Sequence, residues 1–195
     1  MGTNPSLLVR RDIGHAELAD IVRRAKEGED RASSDLCVYV YAHIYSYLYY
    51  RVDRAEDAED LTSEIVVKVI QSIAKQRGNF HAWIYQIARN HLIDFYRRRA
   101  VRSEISLNDI PEQASGKSDG FSKQVLTREK LKRGLKHLTE EQRQVVILKF
   151  IEGHDNREIA SIIHKSVGAV KVLQFRALKA LRDYFTRREV YEAEN

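Results

Sequence analysis

The chain has 195 residues, two prolines, nine glycines and a formal net charge of +5. This length suits one large or two small domains, the shortage of helix breakers favours an all-α fold, and the modest positive charge fits a polyanionic partner. Cys37 is the single cysteine, which excludes a disulfide framework and fits a reducing compartment. No apolar run reaches transmembrane length and no signal-peptide core is evident, so we expect a soluble cytoplasmic protein without membrane insertion.

The first predicted lobe spans residues 16–102 and is helical. Apolar side chains at helical spacing predict a short first helix that ends near Gly28. Residues 38–41 and 45–49 alternate like a strand and are rich in β-forming residues. The same segment also carries a helical stripe formed by Cys37, Val40, Tyr41, Ile44, Tyr45 and Leu48. The length of this segment without a turn signal favours a helix.

A third helix is predicted to open with a capping box formed by Asp53 and Glu56. Its first turns contain many acids, and stabilisation by the helix dipole explains some of them but does not require so many. Two interpretations therefore remain open, namely dipole stabilisation and a docking face for a basic protein surface. The acids are Glu56, Asp57, Glu59, Asp60 and Glu64.

After a break at Gly78 and Asn79, a fourth helix is predicted over residues 80–99, and its composition is aromatic and basic. Cations hold phosphates and exposed aromatic rings stack on unpaired bases, so this helix suits DNA whose strands are being separated. The same spacing also fits a core stripe, and Trp83 is expected to be mainly buried. The terminal arginines equally fit a solvated helix end. The residues concerned are Phe80, His81, Trp83, Tyr85, Arg89, His91, Tyr96, Arg97, Arg98, Arg99 and Arg102.

The second predicted lobe covers residues 123–188 and follows a linker over residues 103–122, whose composition suits a mobile tether. It contains a helix–turn–helix pattern in which Asp155 and Glu158 fit a capping box and Ser166 caps the second helix. Val167, Val170, Leu173, Ala177 and Leu181 keep helical spacing in that second helix and should face inward. Its outward face should then enter a major groove, although an ordinary helical hairpin with a solvated basic face is the alternative. The outward residues are Gly168, Lys171, Val172, Phe175, Arg176 and Lys179.

Two sets of motifs occur in a fixed order along the chain. Residues 57–62 read Asp-Ala-Glu-Asp-Leu-Thr, and residues 80–90 begin Phe-His-Ala-Trp-Ile-Tyr. Residues 138–143 read Leu-Thr-Glu-Glu-Gln-Arg and precede the helix–turn–helix over 158–171. The first set resembles region two, and the second set region four, of the bacterial extracytoplasmic-function (ECF) sigma factors of the sigma-70 family. The resemblance covers about residues 17–185.

The resemblance implies partners and site residues. Core RNA polymerase would be contacted through its beta-prime clamp helices and beta flap, promoter DNA would be the second partner, and many family members are also held by an anti-sigma factor. The loop 76–80 matches the loop that captures a flipped base of the −10 element. The candidate polymerase-binding residues are Asp57, Glu59, Asp60 and Glu64; the −10 residues are Asn79, Phe80, Arg89, Asn90, Arg97 and Arg98; the −35 residues are Ser166, Gly168, Lys171, Val172, Phe175, Arg176 and Lys179.

The chain departs from the family pattern at several of these positions. His164 stands where the family commonly has a turn glycine, and histidine tolerates the left-handed conformation better than most residues. Ser63 and Val66 replace a common glutamine and phenylalanine of the docking helix. Ala169 and Val172 replace small polar residues on the DNA face, so a known promoter sequence does not transfer.

Other functions fit these sequence features less well. A sigma-like decoy that only sequesters an anti-sigma factor should lack the DNA-contacting cations, and a simple helix–turn–helix repressor would not need the acidic or the aromatic helix. No glycine-rich phosphate loop, nucleophile elbow or metal-ligand spacing is evident, so we expect no catalytic residue, cofactor or metal. His137, His154 and His164 are expected at the surface or in turns.

Overall fold

The computed structural model describes residues 13–105 and 123–193, and every regular element in these two ranges is helical. This confirms the all-α fold, and none of the helices in the described ranges has the length and apolar character needed to cross a membrane. Lobe one contains α1 (His15–Lys26), α2 (Asp30–Tyr49), α3 (Ala55–Ser72), a 3-10 turn (Ile73–Lys75) and α4 (Phe80–Ile105). Lobe two contains α5 (Lys123–Lys136), α6 (Glu140–Val146), a π-helical turn (Ile147–Ile151), α7 (Asn156–Ile163) and α8 (Val167–Ala193).

The ambiguous segment of lobe one is the helix α2, and its buried face differs slightly from the predicted stripe. Val40, Ile44 and Leu48 are fully buried as expected. The other members of the stripe are only half-buried. The buried face of α2 is rotated away from them, towards residues that do not belong to the predicted stripe. Those additional buried residues are Leu36, Tyr39 and Tyr47.

Two helix boundaries differ from the prediction. The capping box predicted from Asp53 and Glu56 is wrong, because α3 starts after Arg54 without a side-chain cap. Asp53 instead accepts a hydrogen bond from Lys136 of α5 at 2.6 Å, so a contact between the lobes replaces the local cap. Helix α4 continues to Ile105, into the first residues of the predicted linker, whose remaining residues 106–122 lie outside the described ranges.

The predicted turn chemistry of the helix–turn–helix is confirmed. The Asp155 carboxylate accepts from the amides of Arg157 and Glu158, and the Glu158 carboxylate accepts from the Asp155 amide at 2.9 Å. His164 adopts the left-handed conformation with φ 54° and ψ 46°. The Ser166 hydroxyl then accepts from the Ala169 amide at 3.1 Å and caps α8. Histidine thus adopts the left-handed conformation that was expected to favour glycine at this turn.

The two lobes pack directly against each other. Helix α7 lies against α4, and the π-helical turn lies against α2, so the apolar cores of the two lobes join. This arrangement brings residues that are more than a hundred positions apart into hydrogen-bond contact, such as His43 and Glu152. A sequence divided into two tethered lobes does not predict such a closed arrangement.

Candidate nucleic-acid and protein interfaces

The outward face of α8 is the most clearly built candidate site. Val170, Ala177 and Leu181 are buried against the rest of lobe two, while the predicted outward residues are all exposed. Phe175 is 72% exposed, more than the other exposed large apolar side chains in the described part of the chain, and Val172, about one turn before it, is 49% exposed. Cations for phosphates and apolar atoms for thymine methyl groups therefore share one accessible helix face, whose cationic members are Lys171, Arg176 and Lys179.

The N-terminal end of this helix is open to a close approach. A Cβ atom added at Gly168 would meet only the Ser166 hydroxyl oxygen, at 3.8 Å. The fold itself therefore does not require glycine at this position. An absent side chain does allow another backbone to come close, which is the property expected of a helix start that sits on DNA.

The loop before α4 is braced by polar contacts. Gly78 has φ 71°, and the side chain of the buried Gln76 donates to the Gly78 carbonyl at 2.8 Å. Lys26 of α1 donates to the Gln76 carbonyl at 3.0 Å. Asn79 is exposed, and its side-chain oxygen accepts from the Ala82 amide at 2.8 Å. Asn79 therefore caps α4, and its amide nitrogen is the group that remains for reading a base.

The predicted −10 residues on α4 divide by exposure. Arg89, Asn90, Arg97 and Arg98 are exposed, whereas Phe80 is half-buried against the core. Trp83 is also half-buried. His81 and Tyr85, which belonged to the aromatic and basic set of the sequence, are buried at the boundary between the lobes and are not available to stack on bases.

The acidic residues of α3 do not form one surface. Asp57, Asp60 and Glu64 line a shallow concavity together with Leu61, Phe95, Arg98 and Arg99. Within it, Asp57 lies 3.6 Å from Arg99, and Glu64 also lies 3.7 Å from His91 of α4, which does not line the concavity. Glu59 is absent from this concavity and instead lies near tyrosines of α2, where burial foremost and the Glu59 charge second raise the pKa of Tyr45 to about 12. Of the predicted docking residues, three share a surface and one faces another helix.

A buried polar cluster joins the lobes, and no sequence pattern predicted it. Glu152 accepts hydrogen bonds from the His43 ring at 2.8 Å and from the Tyr85 hydroxyl at 3.2 Å. His154 lies in the connection between the π-helical turn and α7, but it is 5% exposed and contacts the same tyrosine hydroxyl at 3.2 Å, so of the two predicted places only the surface is wrong. Burial lowers the pKa of His154 and lowers the pKa of His81 to about 4. Only long-range folding brings these residues together, because their spacing in the sequence carries no signal.

Arg51 forms a second polar contact between the lobes. Its guanidinium is buried, pairs with Glu140 at the start of α6, and lies 4.6 Å from the centre of the Tyr47 ring. Burial lowers the pKa of Arg51. Its Nε atom has no hydrogen-bond partner within the described part of the chain. A buried and incompletely paired cation costs free energy, so this contact favours an interface that can separate.

The closed arrangement places the two candidate DNA-reading segments beside each other. Arg77, Asn79 and Trp83 of lobe one and His164, Lys165 and Ser166 of lobe two line the same cleft. Two sets of residues that share one cleft cannot at the same time contact two distant segments of a straight duplex.

A helical, two-lobed protein with a helix–turn–helix and a basic exposed helix belongs by its architecture to the DNA-binding transcription proteins. The family model for sigma-70 region 2 matches residues 38–102, and the model for sigma-70 region 4 matches residues 128–181. Both regions match in the order predicted from the motifs. A simple helix–turn–helix repressor is not favoured, since it needs no region 2.

Similar curated proteins carry the same family name. The chain is 30% identical over 150 residues to the ECF RNA polymerase sigma factor SigX of Bacillus subtilis, covering 72% of this chain and 77% of SigX. It is 30% identical over 175 residues to BldN of Streptomyces coelicolor, covering 87% of this chain and 66% of BldN. The chain belongs to the ECF RNA polymerase sigma factors, so it is a transcription-initiation subunit that works with core RNA polymerase on promoter DNA.

Solved structures share the fold. CnrH, solved in complex with the cytosolic domain of CnrY, is 23% identical, with a TM-score of 0.65 over 86% of this chain and 96% of CnrH. The sigma factor RpoE of Bartonella quintana, solved with the anti-sigma factor NepR, is 20% identical, with a TM-score of 0.59 over 88% of this chain and 95% of RpoE. At these identities the likeness supports the helical fold alone.

Proposed function

We propose that residues 16–102 bind core polymerase and the −10 element, that residues 123–188 bind the −35 element, and that residues 103–122 tether them. The chain brings polymerase to selected promoters and helps to open the duplex, without a catalytic activity of its own. Because its proposed partners are core polymerase and promoter DNA, the chain acts in the cytoplasm. An anti-sigma factor is a further proposed partner, because two sigma-fold proteins of similar structure were solved with CnrY or NepR bound.

The single observation that carries this proposal is the exposed face of α8. A helix whose inner face is buried and whose outer face combines cations with a 72% exposed phenylalanine fits a major groove. The capped and unobstructed helix start at Ser166 and Gly168 supports the same role. A decoy that binds only an anti-sigma factor has no need for this surface.

Polymerase docking is proposed for the acidic concavity of α3. Asp60 and Glu64 are exposed and lie beside the half-buried Phe95, so the surface combines charge for steering with apolar atoms for contact. Glu59 is left out of this proposed contact because it faces α2. A basic and partly apolar partner surface is the one that complements such a concavity.

Binding to both promoter elements at once requires the two lobes to separate. Elements centred 10 and 35 base pairs before the start site lie roughly 85 Å apart along B-DNA at about 3.4 Å per base pair. Asn79 and Ser166 line a single cleft in the closed arrangement. The closed form therefore cannot hold both elements, and we propose that it represents the chain before it engages the promoter.

The test is a salt series on −35 duplexes. Lys171→Glu and Arg176→Glu should each weaken duplex binding by about 1–3 kcal/mol and make the dependence of log affinity on log salt shallower by about one unit. Lys130→Glu is the matched control, because Lys130 is an exposed lysine on α5, away from this face.

Affinity for core polymerase, measured on the same variants, separates a lost DNA contact from a damaged fold. The proposal predicts that polymerase affinity stays within twofold of the original in all three. If both α8 variants keep the original DNA affinity and salt dependence, α8 does not bind the −35 element. The function as a decoy that binds only an anti-sigma factor would then be favoured.

A further inference from the structure

Three side chains from three separate helices converge at one edge of the boundary between the lobes. His15 is the first residue of α1, His81 lies in the first turn of α4, and Glu158 lies in the first turn of α7. One ligand atom from each lies within 4.8 Å of the other two. His15 and His81 belong to lobe one and Glu158 belongs to lobe two. We propose that this group binds a divalent transition-metal ion, Zn²⁺ in particular, which joins the two lobes.

The distances within the group fit coordination better than direct hydrogen bonding. Glu158 Oε1 lies 3.7 Å from His15 Nε2 and 3.6 Å from His81 Nδ1. Both distances exceed the range of a hydrogen bond. With metal–ligand bonds of about 2.0–2.1 Å, neighbouring ligands of a tetrahedral ion lie roughly 3.4 Å apart, so the two pairs with Glu158 already have nearly that separation. The two histidine ligand atoms, which lie within 4.8 Å of each other, come closer by rotation of the exposed His15 side chain.

The surroundings of two ligands hold them in an orientation suited to a metal. The other ring nitrogen of His81, Nε2, hydrogen bonds to the Tyr39 hydroxyl at 2.8 Å. A proton on Nε2 directs the Nδ1 lone pair towards the group, as an outer hydrogen bond does for histidine ligands in general. The other oxygen of Glu158, Oε2, accepts from the Asp155 amide at 2.9 Å, which leaves Oε1 for the ion.

The third ligand, His15, leaves the site open to solvent. The side chain of His15 is 81% exposed, while those of His81 and Glu158 are 10% and 18% exposed. The ion can therefore enter from solvent and complete its fourth position with water, which three protein ligands leave open. Two imidazoles and one carboxylate suit Zn²⁺ better than Mg²⁺ or Ca²⁺, which prefer all-oxygen ligand sets.

Bound zinc would favour the closed arrangement, because a complete ligand set exists only when the lobes are together. The consequence for transcription rests on the proposed function: zinc would hold the two DNA-reading segments in one cleft and oppose promoter engagement. The metal site itself does not depend on that function, and free protein is sufficient to test it.

The first experiment measures zinc binding by the full chain without an affinity tag, in competition with a chromophoric chelator. Every variant carries Cys37→Ser, so the single thiol cannot contribute. The reference protein should bind one Zn²⁺ per chain, and His15→Ala should weaken binding by roughly tenfold or more. His137→Ala is the matched control, since His137 is another exposed histidine outside the group, and it should bind like the reference.

Glu158→Gln gives a second variant whose amide oxygen can still accept at the start of α7, and a circular-dichroism melt verifies its fold. Its zinc affinity should also fall by roughly tenfold or more. Zinc binding by His15→Ala at the affinity of the reference, or no stoichiometric binding by the reference protein, would overturn the proposal.

The second experiment measures the distance between the lobes with spin labels at Lys68→Cys on α3 and Arg182→Cys on α8, again with Cys37→Ser. Zinc should increase the short-distance population in the reference protein and leave it unchanged with His15→Ala. Zinc that binds but does not change the distances would overturn the joining of the lobes. A chain that fails to support transcription without added zinc would instead contradict the proposed function.

Discussion

Asn79 illustrates how one side chain can carry a structural and a recognition role at once. Its oxygen caps α4 by accepting from the Ala82 amide, and the exposed position leaves its amide nitrogen free to face a base. Substitution by alanine removes both groups together. A substitution that keeps the oxygen and removes the nitrogen separates the two roles.

Asn79→Asp should keep the stability of the protein and change base selection. The aspartate oxygen still caps the helix, and its charge is favourable at a helix N-terminus, whereas Asn79→Ala should cost about 1 kcal/mol. The aspartate has no donor for a base, so preference at one −10 position should relax in transcription from templates with each of the four bases. A thermal melt provides the stability comparison. An unaltered preference with Asn79→Asp would leave Asn79 with capping alone.

The residue scale also shows what the sequence can predict. Caps at Asp155, Glu158 and Ser166 were predicted because capping depends on neighbours three residues away. Asp53 was assigned a local cap wrongly, because its partner Lys136 is distant in the sequence. His15, His81 and Glu158 lack any metal-ligand spacing for the same reason. Local hydrogen bonds can be predicted from local sequence, and contacts between the lobes cannot.

At the scale of elements, the periodicity of α8 predicted both of its faces, and that of α2 predicted its helix but not its full buried face. Two glycines, Gly134 in α5 and Gly168 in α8, show that the effect of a substitution depends on tertiary packing as well as on helical periodicity. A Cβ atom at Gly134 would lie 2.7 Å from Phe185 Cζ and 3.3 Å from Leu181 Cδ2, whereas Gly168 has open space around it. The same substitution should therefore have opposite effects at the two sites.

Gly134→Ala should destabilise the protein, because overpacking costs about 1–3 kcal/mol and exceeds the helix-propensity gain of up to about 1 kcal/mol. Gly168→Ala should be neutral or stabilising, yet it should weaken binding to −35 duplexes. Chemical denaturation measures the first effect and duplex titration the second. Combining Gly134→Ala with Phe185→Leu should recover part of the loss, since the smaller side chain makes room. Equal stability changes at both glycines would contradict the packing argument.

The acidic helix α3 gives a prediction that depends on which face each acid occupies. Asp60→Lys combined with Glu64→Lys should weaken binding to core polymerase by about 2 kcal/mol or more, because like charges would meet across the proposed contact. Glu59→Lys is the matched control, since Glu59 lies outside the concavity that the other two line. Binding to immobilised core polymerase is the measurement, with helical content as the test of folding. Equal losses in the control and the double variant would indicate a general charge effect instead of a docking face.

At the scale of the whole molecule, the main finding is that the lobes are closed. The composition of the linker predicted a tether, and a tether allows both separated and packed lobes, so the sequence did not choose between them. The closed arrangement is stabilised by contacts between the lobes, such as those of Glu152 with His43 and Tyr85 and that of Arg51 with Glu140. The buried Arg51 Nε has no hydrogen-bond partner among the described residues, so Arg51 gains hydration when the lobes open, and this opposes the stabilisation that closure provides.

Glu140→Gln should shift the chain towards the open state. It removes the carboxylate partner of the buried Arg51, and because Glu140 is 58% exposed we expect a modest effect of about 1 kcal/mol, or roughly a fivefold change in the ratio of open to closed chains. Glu141→Gln is the matched control, because Glu141 stands beside Glu140 in the first turn of α6 but pairs with Lys165 inside lobe two. Both substitutions remove one acid from the same helix start, so any dipole effect is shared.

Spin-label distances between α3 and α8 should lengthen with Glu140→Gln and stay the same with Glu141→Gln. Binding of the polymerase complex to a promoter with both elements should become tighter by up to the same factor, because apparent affinity scales with the fraction of chains already competent to bind. Binding to an isolated −35 duplex should hardly change if the exposed face of α8 is reachable in both states. An increase in affinity for the isolated duplex as large as that for the full promoter would mean that closure covers the DNA-binding face of α8. Closure would then weaken promoter binding by covering that face, and not by preventing the chain from spanning two elements.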